Sequence, residues 1–445
     1  MPASKSNLSL EQAPPISVPF RFFLTAPIFG LLAALLLMVY GPDAMTNRWA
    51  PVTLALTHLI TLGFLGLIMC GAMMQMLPVL AGSPVPKVQL VATWTHILLT
   101  TGTLALALGF LTGEQGLFHL ALATLGLGFL IFITAVSIAL IRIKTPNATI
   151  HGMRLAVASL LVTVILGLTV GAGFSGMVPV SQLIVLTDIH LGWGLLGWIG
   201  LLMVSVAYQV VPMFQLTPEY PGKVTKPLSK ILFTALILWG LLYLAWGSGH
   251  LHRTIVDTWM LIPAIGYLLF AVITLRLQMQ RRRRIPDITL AFWRTGMITI
   301  GACLLLWLIG FIPAASSQMN YPLLLGVWLL FGVAVSVVSG MLYKIIPFLA
   351  WFHLQSRQVA LMSMGKVKVP NMKELIPDRL SRQQLHAHLA TLLLLTLAAL
   401  WPNPMARVAG LSLGISCTLL LTNMILAGHL YQKIDQELSD FEASG

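Results

Sequence analysis

The chain has 445 residues, of which 58% are hydrophobic and only 9% charged, and its mean hydropathy is +0.90. Water cannot cover so much apolar surface, so an ordinary soluble globule is excluded and a polytopic membrane protein is expected. The formal charge of +13 comes from Lys and Arg residues that flank apolar segments; that placement suits anionic headgroups of membrane lipid and excludes a nucleic-acid partner, which would need a folded basic face with groove-reading elements.

A hydrocarbon core about 30 Å thick takes roughly 20 apolar residues per helix. Twelve such windows follow one another, at roughly 22–41, 52–77, 88–112, 117–141, 154–178, 183–211, 229–247, 255–278, 289–313, 322–346, 385–401 and 405–430. The expectation is an all-α fold of twelve transmembrane helices in a single integral membrane domain over 1–445, with an N-terminal tail of about 1–20 and a C-terminal tail of about 431–445. The opening residues MPASKSNLSLEQAPPISVPF lack a basic start, a short apolar run and a small-residue cleavage site in succession, so the first helix is expected to be retained. Cys70, Cys303 and Cys417 lie in separate apolar segments without CxxC or CxxCH, which argues against a disulfide framework, a zinc ribbon or covalently attached haem.

Arg48, Arg253 and Arg407 fall on one side of this arrangement and the other 23 of 26 basic residues on the opposite side. The rich side, which includes Arg281–Arg284, Lys223, Lys226, Lys230 and the stretch from Arg357 to Arg382, is expected to be cytoplasmic. Both termini then face the cytoplasm of a bacterial-type inner membrane.

The sequence also repeats. MMQMLPVLA at Met73, AYQVVPMFQ at Ala207 and LYKIIPFLA at Leu342 align on Pro78, Pro212 and Pro347, which are 134 and 135 residues apart. Fifteen residues before each proline stands a glycine, Gly63, Gly197 or Gly332, and three before it stands Gln75, Gln209 or Lys344. Each period holds four expected helices, giving repeats at about 22–150, 151–285 and 286–430. The three polar residues sit about one turn before a proline expected to end the helix, where they would cap it or snorkel toward cytoplasmic water.

Three sets of four helices resemble subunit I of the haem–copper oxidase superfamily, whose twelve helices form three arcs about an approximate threefold axis. The stretches VPFRFFLTAPIFGLLAAL (Val18 to Leu35), LTHLITLGF and LPVLAGSPVP resemble the NnrS family, haem- and copper-containing membrane proteins linked to nitric-oxide stress. That likeness covers about the first ninety residues. The family carries HAHEMLFGF at the start of its second helix; alignment on Gly63-Phe64 places His58 on the second family histidine, with Leu56 and Leu59 replacing the first histidine and the acidic residue. The resemblance implies haem b, with copper as a second metal, and a role in electron transfer from a respiratory donor or in handling a diatomic gas such as nitric oxide.

His58 lies about 9 Å along its helix from the outer end, and an intramembrane imidazole is either a metal ligand or a packing group bonded to neighbouring helix oxygens. In the second repeat, His190 falls on the position of Leu56, at similar depth. Gly63 and Gly66, with Gly192, Gly194, Gly197 and Gly200, either leave space for a flat porphyrin or pack helices closely. The third repeat has Leu325 and Val327 at these places and supplies no ligand. A full dioxygen-reducing centre of the superfamily pattern is excluded, because the tenth helix has no histidine in its outer half and the seventh has none.

On the other side, QQLHAHLATLLLL places His386 and His388 two residues apart, about 200° around a helix. One is a further candidate cofactor ligand, or both are interfacial histidines among headgroups and water. His96, His151, His353 and His429 lie near them along the membrane normal, and His250 and His252 flank a solvent-facing loop. Met69, Met73, Met74 and Met76 read as flexible core filler more readily than as soft copper ligands. All thirteen carboxylates fall in loops, tails or helix ends, which disfavours a carboxylate-driven proton pump; Asp188, two residues before His190, points away from it on a helix. The alternative to a haem protein is a transporter or assembly factor that keeps the repeated scaffold and has lost its redox centre.

Overall fold

The computed structural model describes residues 14–282, 287–313, 320–363 and 366–444. The N-terminal tail through residue 13, Arg283 and Arg284 of the basic run, and Gly445 lie outside the described residues. The protein is an all-α polytopic membrane protein: among the described residues there is no strand, and twelve helices are long and apolar enough to span a bilayer. They are α1 Ser17–Met45, α2 Pro51–Ala81, α3 Val88–Thr112, α4 Gln115–Ile141, α5 Ala148–Phe174, α6 Leu183–Gln215, α7 Gly222–Gly247, α8 Arg253–Met279, α9 Ile288–Ile309, α10 Tyr321–Ala360, α11 Asp378–Leu400 and α12 Pro402–Ala443. Helices are the required answer, because lipid offers no partner to an open backbone N–H or C=O.

The chain divides into two compact units. One takes in Ala72–Ile285 and Met297–Ser316, hence α3 to α8 with the second repeat entire; the other takes in Pro15–Gly71, Pro286–Gly296 and Ser317–Gly445, hence α1, the N-terminal part of α2 and α10 to α12. In the first unit Arg154 on α5 donates to the carbonyls of Leu140 and Ile143 at 2.7 and 2.9 Å, closing the end of α4. In the second unit α12 packs along both α1 and α11.

The repeat is written into the backbone as well as the residues. Within α2, α6 and α10 the helix widens to a π-helix over Leu59–Gly66, Trp193–Gly200 and Trp328–Val335. These segments begin 134 and 135 residues apart, the period of the prolines, and Gly63, Gly197 and Gly332 are each the fifth residue of one. π-helices are rare and gather at functional sites, so three at one repeat position form a repeated device of this chain's own architecture. After the prolines, α2 and α6 stop within three residues, and the next residues, Gly82 and Leu216, take left-handed backbone at φ 59° and 55°. The third copy departs from the expected stop: its counterpart position, Trp351, stays helical and α10 runs on to Ala360. Pro347 removes one backbone bond without ending the helix.

The first and second helices of each repeat approach closely at one equivalent place. A Cβ on Gly71 would lie 2.8 Å from the Phe22 Cβ, one on Gly152 would lie 1.9 Å from the Ser205 Oγ, and one on Gly340 would lie 2.5 Å from the Phe292 Cβ. A related contact is of the same kind, since a Cβ on Gly63 would meet the Phe29 ring at 2.3 Å. Gly63→Ala is therefore expected to cost about 1–3 kcal/mol or more through forced repacking, whereas Gly428→Ala, which meets nothing within 4 Å, should leave stability unchanged or slightly raised. Retention of the monodisperse peak after a heating series checks the pair.

Candidate functional site

His190 sits on α6 three residues before its π-helical segment and is half-buried. Its Nδ1 donates to the Thr163 carbonyl of α5 at 3.0 Å. Gly167, one turn further along α5, makes room for the ring: a Cβ there would lie 2.9 Å from the imidazole Cε1. The helix that carries His190 is fixed by an apolar and aromatic cluster of Val185, Ile189, Trp193, Leu236, Trp239 and Tyr243.

His58 is the last α-helical residue before the π-helical segment of α2 and is also half-buried. Its Nδ1 donates to the Leu54 carbonyl of its own helix at 2.8 Å. The side chains of Thr53, Thr57 and Thr61 each donate to a backbone carbonyl nearby, so the polar residues of this segment are tied to the backbone. His58 belongs to one compact unit and His190 to the other, and each is placed within its own.

The two histidines share a chemical state. A carbonyl oxygen only accepts, so in both rings Nδ1 carries the proton and the neutral imidazole has its lone pair on Nε2. An Nδ1–H held on a backbone carbonyl is the second-shell arrangement that orients a metal-ligating histidine. The donor chemistry thus fits an imidazole-ligated iron. Four of the six glycines are filled by neighbours: Gly192 receives the Trp239 ring, Gly197 the Ser159 side chain, Gly200 the Tyr267 ring and Gly63 the Phe29 ring, whereas a Cβ on Gly66 would meet only the Thr61 carbonyl at 3.1 Å and one on Gly194 only Thr163 at 3.4 Å. The filled positions are close helix packing, the second of the two readings that the sequence leaves open.

Asp188 is not idle, as its sequence neighbours imply. It accepts from the Tyr243 hydroxyl at 2.6 Å; the Arg253 Nη1 donates to that same hydroxyl at 3.1 Å, and the Arg253 Nε meets Asp257 at 2.9 Å. Arg253 also lies over the Tyr243 and Trp246 rings at 5.0 and 4.6 Å. Nothing in the sequence joins Tyr243 and Arg253 to Asp188, from which they stand 55 and 65 residues away. No local spacing joins them.

Comparison with protein-family models and with curated proteins finds no match. The chemistry of the side chains therefore carries the functional argument.

His386 and His388 part as their spacing requires, His386 being exposed and His388 buried at 1% exposure. His388 corrects the expectation of an interfacial residue at the helix mouth. Its ring stacks on Phe331 at 4.5 Å and leans on Phe292 at 5.1 Å. Ser336 donates its single hydroxyl proton to the Phe331 carbonyl at 3.1 Å and so accepts from the His388 Nε2 at 2.7 Å. His388 is thus tied through Nε2 to the hydroxyl that serves the Phe331 carbonyl. That backbone place recurs: the repeat counterpart of Phe331 is Leu196, whose carbonyl accepts from the Tyr267 hydroxyl of α8. In two copies a side chain thus satisfies the same carbonyl of the π-helix.

Lys344 is also corrected. It pairs with Asp287 at 2.8 Å, with the side chains 28% and 19% exposed, instead of reaching for water. Asp287 in turn accepts from the Thr289 N–H at 2.9 Å at the start of α9. Gln75, the first-repeat counterpart, is buried with neither amide atom partnered among the described residues. Lys344→Met is expected to cost about 1–3 kcal/mol by leaving a largely desolvated carboxylate, and Lys344→Met with Asp287→Asn less than the sum. Detergent-titrated unfolding of the two variants measures the difference.

The remaining candidates are local. His252 caps α8 through Thr254, and His250 is exposed. Met69, Met73 and Met74 are buried core. Cys70, Cys303 and Cys417 are buried free thiols. Among the described residues, no group of three or more His, Cys, Asp or Glu converges as a metal cage.

Proposed function

We propose that the chain is a haem-binding protein of a bacterial-type inner membrane, with both termini in the cytoplasm, that takes b-type haem, with His58 and His190, each within its own compact unit, as the candidate ligands through Nε2. Bound there, the iron would carry electrons or hold a diatomic gas such as nitric oxide, tuned by its axial imidazoles and a low-dielectric surround. One observation carries the reading: the two half-buried histidines of the repeated π-helix-bearing helices both fix Nδ1–H on a backbone carbonyl and leave the lone pair on Nε2. Packing histidines bonded only for structure need not share that state.

The test is a reduced-minus-oxidised visible spectrum of the full chain purified from cells supplied with haem. A Soret band and sharp α and β bands on reduction are expected. A colourless, monodisperse preparation overturns the proposal. Metal analysis of the same sample decides whether copper accompanies the iron.

The filling of Gly63, Gly192, Gly197 and Gly200 by neighbouring rings and side chains favours a second reading, a transporter or assembly factor on the same scaffold. The colourless outcome belongs to it.

A further inference from the structure

The third repeat contains a segment the other two lack. After α2 and α6, six-residue loops, 82–87 and 216–221, lead to the next helix. After the counterpart position in α10, the chain continues through Trp351 to Ala360 and then through 361–377 before α11 begins. This extra segment is built into the fold. Arg357 donates to Asp435, Ser439 and Glu442 of α12 at 2.6, 2.9 and 3.1 Å, and Leu354 packs with Ile434 and Leu438, joined by Leu361, Val367 and Val369. The Gln358 Nε2 donates to the Val367 carbonyl at 2.6 Å, and a capping box closes Asn371 to Glu374.

The segment folds around a cleft of about 410 Å³, and each residue that lines it belongs to the segment. Trp351 gives it a flat wall, Val367 and Val369 an apolar side, and Gln355, Lys366 and Lys368 its polar groups. The buried Gln355 Oε1 has no hydrogen-bond partner among the described residues. Lys366 stands over the Phe441 ring at 5.1 Å, and the nearest carboxylate to Lys368 is Glu374 at 4.0 Å on a side chain that leaves the lysine 87% exposed. Arg357 is already neutralised by Asp435 and Glu442. The cleft thus offers two ammonium groups, one acceptor that lacks a donor, and an aromatic surface.

We propose that this cleft binds a hydroxyl-bearing phosphate ester, its anionic oxygens on Lys366 and Lys368 and a hydroxyl on the Gln355 Oε1. Two ammonium donors suit the several oxygens of a phosphate, and the lone acceptor selects a ligand that also donates. Trp351 follows directly on the part of α10 that matches the membrane spans of α2 and α6, which sets the cleft where a lipid headgroup lies. A soluble phosphate ester has the same chemistry, and the experiment separates the two.

Native mass spectrometry of the full chain would be run with phosphatidylglycerol, phosphatidylcholine or glycerol 3-phosphate added. Retention of phosphatidylglycerol over phosphatidylcholine assigns the headgroup; retention of glycerol 3-phosphate, with displacement of phosphatidylglycerol, assigns the soluble ester. Lys366→Gln with Lys368→Gln is expected to weaken the retained ligand about tenfold or more. Lys223→Gln with Lys226→Gln, an equal loss of charge outside the cleft, should leave it unchanged. Gln355→Leu should remove the preference for phosphatidylglycerol over phosphatidic acid, which lacks the headgroup hydroxyls. Equal weakening by both lysine pairs, or retention of neither probe, overturns the proposal.

Discussion

His190→Ala is expected to abolish the Soret band of the purified protein while the chain remains monodisperse, and His58→Ala to do the same. Each deletes one imidazole whose Nδ1 is tied to a backbone carbonyl. The space left should accept free imidazole, and millimolar imidazole should restore absorbance in the alanine variants. His388→Ala and His386→Ala mark the contrast: one ring is engaged by Ser336 between aromatic neighbours and the other is exposed, so both variants should keep the full spectrum, His388→Ala at reduced stability. Gly167→Val supplies a readout that ligand deletion cannot. It adds atoms where the His190 ring lies 2.9 Å from a new Cβ, and it should shift or diminish the bands although glycine ligates nothing. Spectra of His58→Ala and His190→Ala that match the unaltered protein would end the assignment.

The spans were legible because lipid leaves no freedom: each must be a continuous apolar run, and α3 appears at the residues its hydropathy predicts, 88–112. The repeat was legible from Pro78, Pro212 and Pro347, and the structure adds a second signature with the same period. The π-helical segments themselves carry no compositional mark. The side chains that serve them come from elsewhere in the chain: Tyr267, which donates to the Leu196 carbonyl, stands 71 residues away, and His388, which bonds Ser336 at the Phe331 carbonyl, stands 57 residues from Phe331. The extension of α10 was hidden for a related reason. Proline predicts a stop, whereas the stops after α2 and α6 come from left-handed backbone at Gly82 and Leu216, and Trp351 stays helical with Leu354 and Arg357 docked on α12.

At the candidate site, the residue types were legible and the partners were not. An imidazole in an apolar run announces itself, but the acceptor of its proton does not: Thr163 lies on another helix and Leu54 one turn back on the same one. Asp188 shows the opposite failure. Judged only against His190 it has no role, and its real neighbours, Tyr243 and Arg253, come from α7 and α8.

Ser336→Ala should be among the most destabilising single-atom deletions in the chain. The hydroxyl joins two buried groups, the Phe331 carbonyl and the His388 Nε2, and its loss strands both at about 1–3 kcal/mol each. His388→Phe keeps an aromatic ring against Phe331 and removes only the donor, so a cost near the lower end of that range is expected. The double variant leaves the carbonyl unsatisfied but no longer buries a lone imidazole, so it should be more stable than the sum of the singles by about 1 kcal/mol or more. Tyr267→Phe is the same experiment in the second repeat, since it deletes the donor to the equivalent carbonyl, that of Leu196. Detergent-titrated unfolding would measure all four. Additive losses at Ser336 and His388, or an unaffected Tyr267→Phe, would mean that the π-helices hold their width by apolar packing alone.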